Sequence, residues 1–127
     1  MSIKWKLVAS TLMFLMLFNT GCSQMPQQKE KAMGVNLIIS FKIRPDKLES
    51  FTGLMKTVKA TLPTVPGCQS VKIYRNPNDP LSFTLVETWD SKEVHGKHIQ
   101  ALKDSGQWAA IAQHFSADPV SGYYEEL

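Results

Sequence analysis

The stretch VNLIISFKIR, residues 35–44, constrains the fold more than any other. Val35, Leu37, Ile39, Phe41 and Ile43 alternate with mostly polar neighbours. That period of two predicts a strand with one face on a core. In the following PDKLESFTGLMKTVKATL, Leu48, Phe51, Met55, Val58 and Leu62 recur at helical spacing, giving one apolar stripe. Asp46, with Glu49 three residues later, predicts a capping box. Pro63 and Pro66-Gly67 predict the helix end.

Two further strands, residues 68–75 and 81–89, flank NPNDP, whose Asn, Asp and Pro residues predict a hairpin turn. Ser91 predicts the cap of a second helix running to about Lys103, and Asp104-Ser105-Gly106 predicts its break. A short helix carrying Trp108, Ile111, Ala112 and Phe115 comes next. DPVSGYYEEL then supplies a last strand, placed at a sheet edge by Pro119 and Gly122. Strand, helix, strand, strand, helix pair, strand is the split β-α-β order of an α+β, ferredoxin-like fold, one antiparallel sheet with helices on one face. Leu81, Phe83 and Leu85 point one way, whereas Ile38, Tyr74 and Val86 point the other. A sheet apolar on both faces needs a second cover, and self-association supplies it, so a homodimer is expected.

The first 21 residues have another character. Lys4 and Lys6 precede an apolar run from Leu7 to Phe18, about 12 residues long. That is short of the roughly 20 that span a bilayer and suits a secretory signal. The segment ends at Gly21-Cys22 and resembles the lipobox of bacterial lipoproteins, in which the cysteine is acylated and becomes the mature N-terminus. Asn19 departs from the aliphatic residue usual three positions before the cysteine, while Thr20 and Gly21 fit. An uncleaved signal anchor and a conventionally cleaved secreted protein are the alternatives. The lipobox resemblance implies lipidation at Cys22 and membrane attachment through that lipid in the cell envelope. In a bacterium with two membranes, Ser23 would suggest sorting to the outer membrane, facing the periplasm. Residues 22–33, rich in Gln, Lys and Ser, read as a flexible tether to a domain at 34–127.

Charge excludes one class of partner. The formal balance is +3, and without Lys4 and Lys6 it is close to neutral, so no basic footprint for nucleic acid exists. Cys68 would be the only thiol of the mature domain, with no flanking basic residue to form a thiolate, and reads as a small buried residue.

The segment PGCQSVKIYRNPNDPLSFTLVETWDSKEVHGKHI resembles the antibiotic biosynthesis monooxygenase (ABM) domain family. The marks are Gly67-Cys68 opening a strand, Glu87 and Trp89 closing the next, Ser91 leading a helix and His98 nine residues after the tryptophan. The resemblance extends over nearly all of 34–127. It implies a dimeric α/β barrel with a ligand cavity between sheet and helices in each subunit. Where many relatives have a short link after the histidine, this chain has IQALKDSGQW, which brings in Trp108. The heme-degrading branch uses an asparagine on the first strand and a tryptophan on a helix. Those positions here hold Ile39, with Asn36 three residues away, and His98, which argues against heme degradation.

Val94, His98 and Leu102 share a helical stripe that should face the sheet. Burial would keep the His98 imidazole neutral near pH 7, as a base requires; the competing reading is a core histidine bonded to a backbone carbonyl. The family resemblance adds a cofactor-independent monooxygenase acting on a quinol-like or small aromatic substrate, because such a substrate supplies its own electrons to dioxygen. His98 would be the catalytic base, Trp89 and Trp108 the ring walls, and Glu87 or Asn36 the polar anchors. Core packing is the alternative for both tryptophans, and an ion pair with Arg44, Arg75 or Lys97 the alternative for Glu87. No cofactor is expected, since the chain has no G-x-G-x-x-G motif. No metal is expected either: His95 and His98 are three apart with no familiar carboxylate pattern beside them, and His114 is on the next helix. A binding protein without turnover and an isomerase on the same fold are the rival functions.

Overall fold

The computed structural model describes residues 34–127. The signal segment 1–21, Cys22 and the tether 22–33 lie outside them. Four strands form one sheet: β1 (Val35–Ile43), β2 (Cys68–Asn76), β3 (Asp79–Trp89) and β4 (Phe115–Tyr124). Their spatial order is β2-β3-β1-β4 and every pairing is antiparallel. Three helices, α1 (Leu48–Thr61), α2 (Lys92–Asp104) and α3 (Gln107–Ala112), complete the ferredoxin-like α+β fold. Among the described residues no helix is long and apolar enough to cross a membrane.

The alternation in β1 sets the inner face. Val35, Leu37, Ile39, Phe41 and Ile43 are all buried, and the register pairs Leu37 with Glu87, Ile39 with Leu85 and Phe41 with Phe83. From α1, Phe51 and Met55 descend onto this face. Phe41, Phe51, Phe83 and Phe115 stack edge to face and in parallel, with centroids 5.0–6.3 Å apart, contacts that add to simple area burial. A second cluster, Val35, Leu62, Cys68 and Trp89, fills the opposite end of the sheet. Cys68 is the buried residue its surroundings predict; burial and the nearby Glu87 push its thiol pKa up.

Three local expectations are corrected. Asp46 does not cap α1: Pro45 starts a 3-10 turn, Pro45–Lys47, so the helix opens one residue later at Leu48 with no side-chain cap. Asp46 instead pairs with Arg44 at 3.0 Å. Phe115 is the first residue of β4 and not part of a helix. β4 therefore starts three residues before Asp118, and register shifts opposite Ser40–Ile43 accommodate the early start. Glu87 pairs with none of Arg44, Arg75 or Lys97; its partners are described below.

Other expectations match. Ser91 caps α2, its hydroxyl accepting from the Val94 N–H at 3.2 Å. β4 is an edge strand, which tolerates Pro119. Ile38, Val86 and Tyr74 lie on the sheet's outer face with Val120 and Tyr124, and of these Tyr74, Val120 and Tyr124 are exposed.

Candidate functional site

Three elements converge where β3 ends. Strand alternation turns Glu87 and Trp89 toward the helices, as their pairing with Leu37 and Val35 requires. The Ser91 cap then fixes the phase of α2, so His95 falls one turn in and faces the sheet. Tyr123, opposite Leu37 on β4, closes the third side.

Trp89 is fully buried and donates its indole N–H to Glu87 Oε2 at 2.8 Å. Glu87 and His95 are the two buried polar residues of the core, and His95 Nε2 stands 4.0 Å from Glu87 Oε2. That nitrogen is buried without a hydrogen-bond partner. The ring's other nitrogen, Nδ1, is 2.6 Å from the Tyr123 hydroxyl. The His95 and His98 rings, both from α2, lie 5.3 and 5.1 Å from the Trp89 ring. Lys92 Nζ lies 5.5 Å above the Tyr123 ring.

Burial drives the electrostatics. It pushes both imidazole pKa values down, and the neighbouring His98 lowers that of His95 further. It pushes the Glu87 carboxyl up, opposed in part by the Trp89 hydrogen bond. The Tyr123 phenol rises through its own desolvation and the Glu87 and Glu93 carboxylates. A neutral imidazole pair, a buried carboxylate and a phenol are groups that can exchange protons.

The structure brings together three of the five substrate-site residues expected from sequence: Glu87, Trp89 and His98. Trp108 packs on the phenylalanine cluster, 6.2 Å from the Phe115 ring, at the other end of the sheet from Trp89. Asn36 has the opposite parity from Leu37 and so occupies the outer face, where it accepts from the Thr88 hydroxyl at 2.8 Å. It lines a concavity of about 730 Å³ with Gln69, Ser70 and Glu126. A second concavity, about 310 Å³, lies between α1 and β2, lined by Met55, Lys56, Lys59 and Arg75. Neither includes His95 or His98, because those rings are already packed against Trp89.

The deepest residue of α2 is His95, while Val94, His98 and Leu102 are half-buried at its flanks. From sequence, His95 stands out only as a candidate metal ligand and Tyr123 only as part of a strand. The signal for His95 is the cap: with Ser91 fixed, position 95 is the first helical residue aimed back at the strand just left. No local signal marks Tyr123, whose place depends on β4 pairing with β1. Among the described residues no set of three His, Cys, Asp or Glu side chains gathers to hold a metal. His114 is apart from the other histidines, its Nδ1 at 3.0 Å from the Ile111 carbonyl and its ring against Phe51.

A split β-α-β sheet with an acid–base cluster under its second helix defines a small ferredoxin-like domain with a polar centre at one end. The family model for antibiotic biosynthesis monooxygenases matches residues 34–116. The chain belongs to that family. Among solved structures it is similar to a conserved protein from Methanosarcina mazei, at 15% identity and TM-score 0.66 over 76% of this chain and 96% of that one. It is also similar to an antibiotic biosynthesis monooxygenase, at 16% identity and TM-score 0.65 over 73% and 98%. Rv0793 from Mycobacterium tuberculosis aligns at 18% identity and TM-score 0.64, over 74% and 95%. At these identities the likeness is one of fold. An uncharacterized protein, sll1783 of Synechocystis sp., is 31% identical over 61 residues, a match that spans 48% of this chain and 42% of that protein.

Proposed function

We propose that the domain is a cofactor-independent monooxygenase acting on a small quinol-like or aromatic substrate. The observation that carries this reading is the half-buried His98 imidazole 5.1 Å from the Trp89 ring, whose indole N–H holds the buried Glu87 carboxyl; burial lowers the His98 pKa and favours the neutral base. The substrate would reach His98 from the side of α2 that solvent still touches, with the fully buried Trp89 backing the imidazole. His98 takes a substrate proton, the resulting anion passes an electron to dioxygen, and the radical pair recombines. For an anthrone the balance closes without a cofactor: the ring carbon loses two hydrogens and gains one oxygen as a carbonyl, and the other oxygen leaves as water. The buried surroundings keep bulk water from the anion. Family membership and the relatives' fold support this class of chemistry. Apolar and aromatic residues on the outer sheet face favour a homodimer, and the lipobox resemblance favours attachment to the envelope through Cys22.

Dioxygen uptake by the full-length protein in detergent, with hydroquinones and anthrones and no added cofactor, tests the proposal. Uptake above the autoxidation rate is expected, falling at least about tenfold in His98→Ala. Burial lowers the His98 pKa below the ordinary 6.5, so the wild-type rate should fall on acidification with its midpoint below that of an ordinary histidine. Uptake no faster than autoxidation, with the same compounds still bound, would assign the domain to binding without turnover.

A further inference from the structure

The oxidation just described removes two protons from the substrate, and His98 accounts for one. We propose that Tyr123, His95 and Glu87 form a relay for the other, with the Tyr123 phenol as the group that meets the substrate. This inference rests on the oxygenase reading and adds to that site a second acid–base group.

The geometry gives the relay a direction. His95 Nδ1 and the Tyr123 hydroxyl are 2.6 Å apart, so one of them donates. If Nδ1 carried the proton, Nε2 would present its lone pair to the Glu87 carboxyl 4.0 Å away. Both groups are buried and Nε2 has no other partner, so that arrangement sets two electron-rich atoms facing each other in a poorly screened interior. The opposite tautomer removes the conflict. Nε2–H faces the carboxylate, Nδ1 is the acceptor, and the phenol donates to it. A carboxylate behind an imidazole that accepts from a hydroxyl is the logic of a hydrolase triad. Here the hydroxyl is a phenol, suited to proton exchange.

Tyr123 also bridges two environments. Its hydroxyl touches an imidazole that is 5% exposed, while the residue itself is 40% exposed. The groups around the relay are Glu87 on β3, Lys92, Glu93 and His98 on α2, and Tyr123 itself on β4. Burial and the Glu87 and Glu93 carboxylates raise the phenol's pKa, so its resting form is the protonated donor. Lys92 above the ring favours the transient loss of that proton.

For an anthrone the step balances. The first anion, formed by His98, has bonded to dioxygen as a peroxide; the remaining C–H bond at that carbon then breaks and its proton bonds to Tyr123 Oη. The phenol's own proton passes to His95 Nδ1, and the imidazolium is offset by the Glu87 carboxylate. The electron pair of that C–H bond becomes the second bond of the new carbonyl, and the O–O bond breaks. The outer oxygen leaves as water, taking one proton from His98 and one that returns through Tyr123. Tyr123 is a catalytic residue on this account; His95 and Glu87 are positioning residues that act through it.

Tyr123→Phe removes one oxygen and keeps the ring, and His95→Gln keeps a polar side chain. Both would be compared with wild type on an anthrone and on the same anthrone carrying deuterium at its reactive carbon. Each variant should lose at least about tenfold in kcat with little change in KM, and the deuterium effect on kcat should be larger than in wild type, because loss of the second C–H proton then limits the rate. A loss with an unchanged deuterium effect would mean a structural role and overturn the relay, as would no loss at all. Nitrogen NMR of the ligand-free protein separates failure of the relay from failure of the oxygenase reading. A proton on His95 Nε2, with an Nδ1 signal that moves in Tyr123→Phe, supports the relay even where wild type consumes no dioxygen. A proton on Nδ1 overturns it whatever the uptake.

Discussion

Trp89→Ala is expected to destabilise the domain by about 3–5 kcal/mol, the range for deleting a fully buried large aromatic side chain. Two losses add. The indole is fully buried in the second core cluster, among Val35, Leu62 and Cys68, so its removal leaves a cavity. It is also the hydrogen-bond donor to the buried Glu87 carboxyl, which would then lack one. Trp89→Phe separates the two, because it keeps an aromatic ring and removes the N–H. It should cost about 1–3 kcal/mol through the unsatisfied carboxyl. Glu87→Leu made in the Trp89→Phe background should recover part of that loss, since the orphaned group is then gone. Urea unfolding of the single and double variants checks this. Strict additivity would contradict the coupling.

Gly67→Ala is expected to cost about 2–4 kcal/mol, a large effect for one methyl group. Gly67 sits at φ 90°, in the left-handed region that a side chain disfavours. A Cβ there would also meet Val94 Cγ1 at 2.2 Å, so the Val94 side chain must turn aside or carry α2 away from the start of β2. The Gly67 carbonyl accepts from the Asp90 N–H at 2.9 Å, which ties this turn to the end of β3 and to the Ser91 cap. Any shift of α2 would displace His95 and His98 with it, so dioxygen uptake should fall in proportion to that shift. A Gly67→Ala protein with a wild-type urea midpoint would contradict the close packing.

The order of elements was legible because each carries its own local pattern. The five alternating residues of β1, the NPNDP turn and the Ser91 cap each report on a few neighbouring positions. Where a reading failed, a contact from elsewhere in the chain, or a competing turn, decided the outcome. Pro45 overrode the Asp46 cap by starting a tighter turn. Phe115 left its helix because pairing with Ile43 on β1 claimed it. The site divides in the same way. Glu87, Trp89 and the helix of His98 follow from alternation and a cap. Asn36 has the parity of the outer face, which becomes decisive once β1 and β3 are in register at Asn36 and Thr88. Trp108 belongs to the far cluster because α3 lies beside the start of β4. Tyr123 joins His95 across 28 residues, a contact that no window along the chain contains.

The central claim is that a small aromatic molecule is bound where β3, α2 and β4 meet. The most direct measurement is NMR mapping of full-length protein titrated with a dimethoxybenzene, a quinol analogue with no hydroxyl proton to lose. The account predicts saturable shifts concentrated at the Trp89 indole, the His95 and His98 rings and Tyr123, with the Lys56–Lys59–Arg75 groove unaffected. Saturable shifts confined to that groove, or to the outer-face concavity around Asn36, would contradict it.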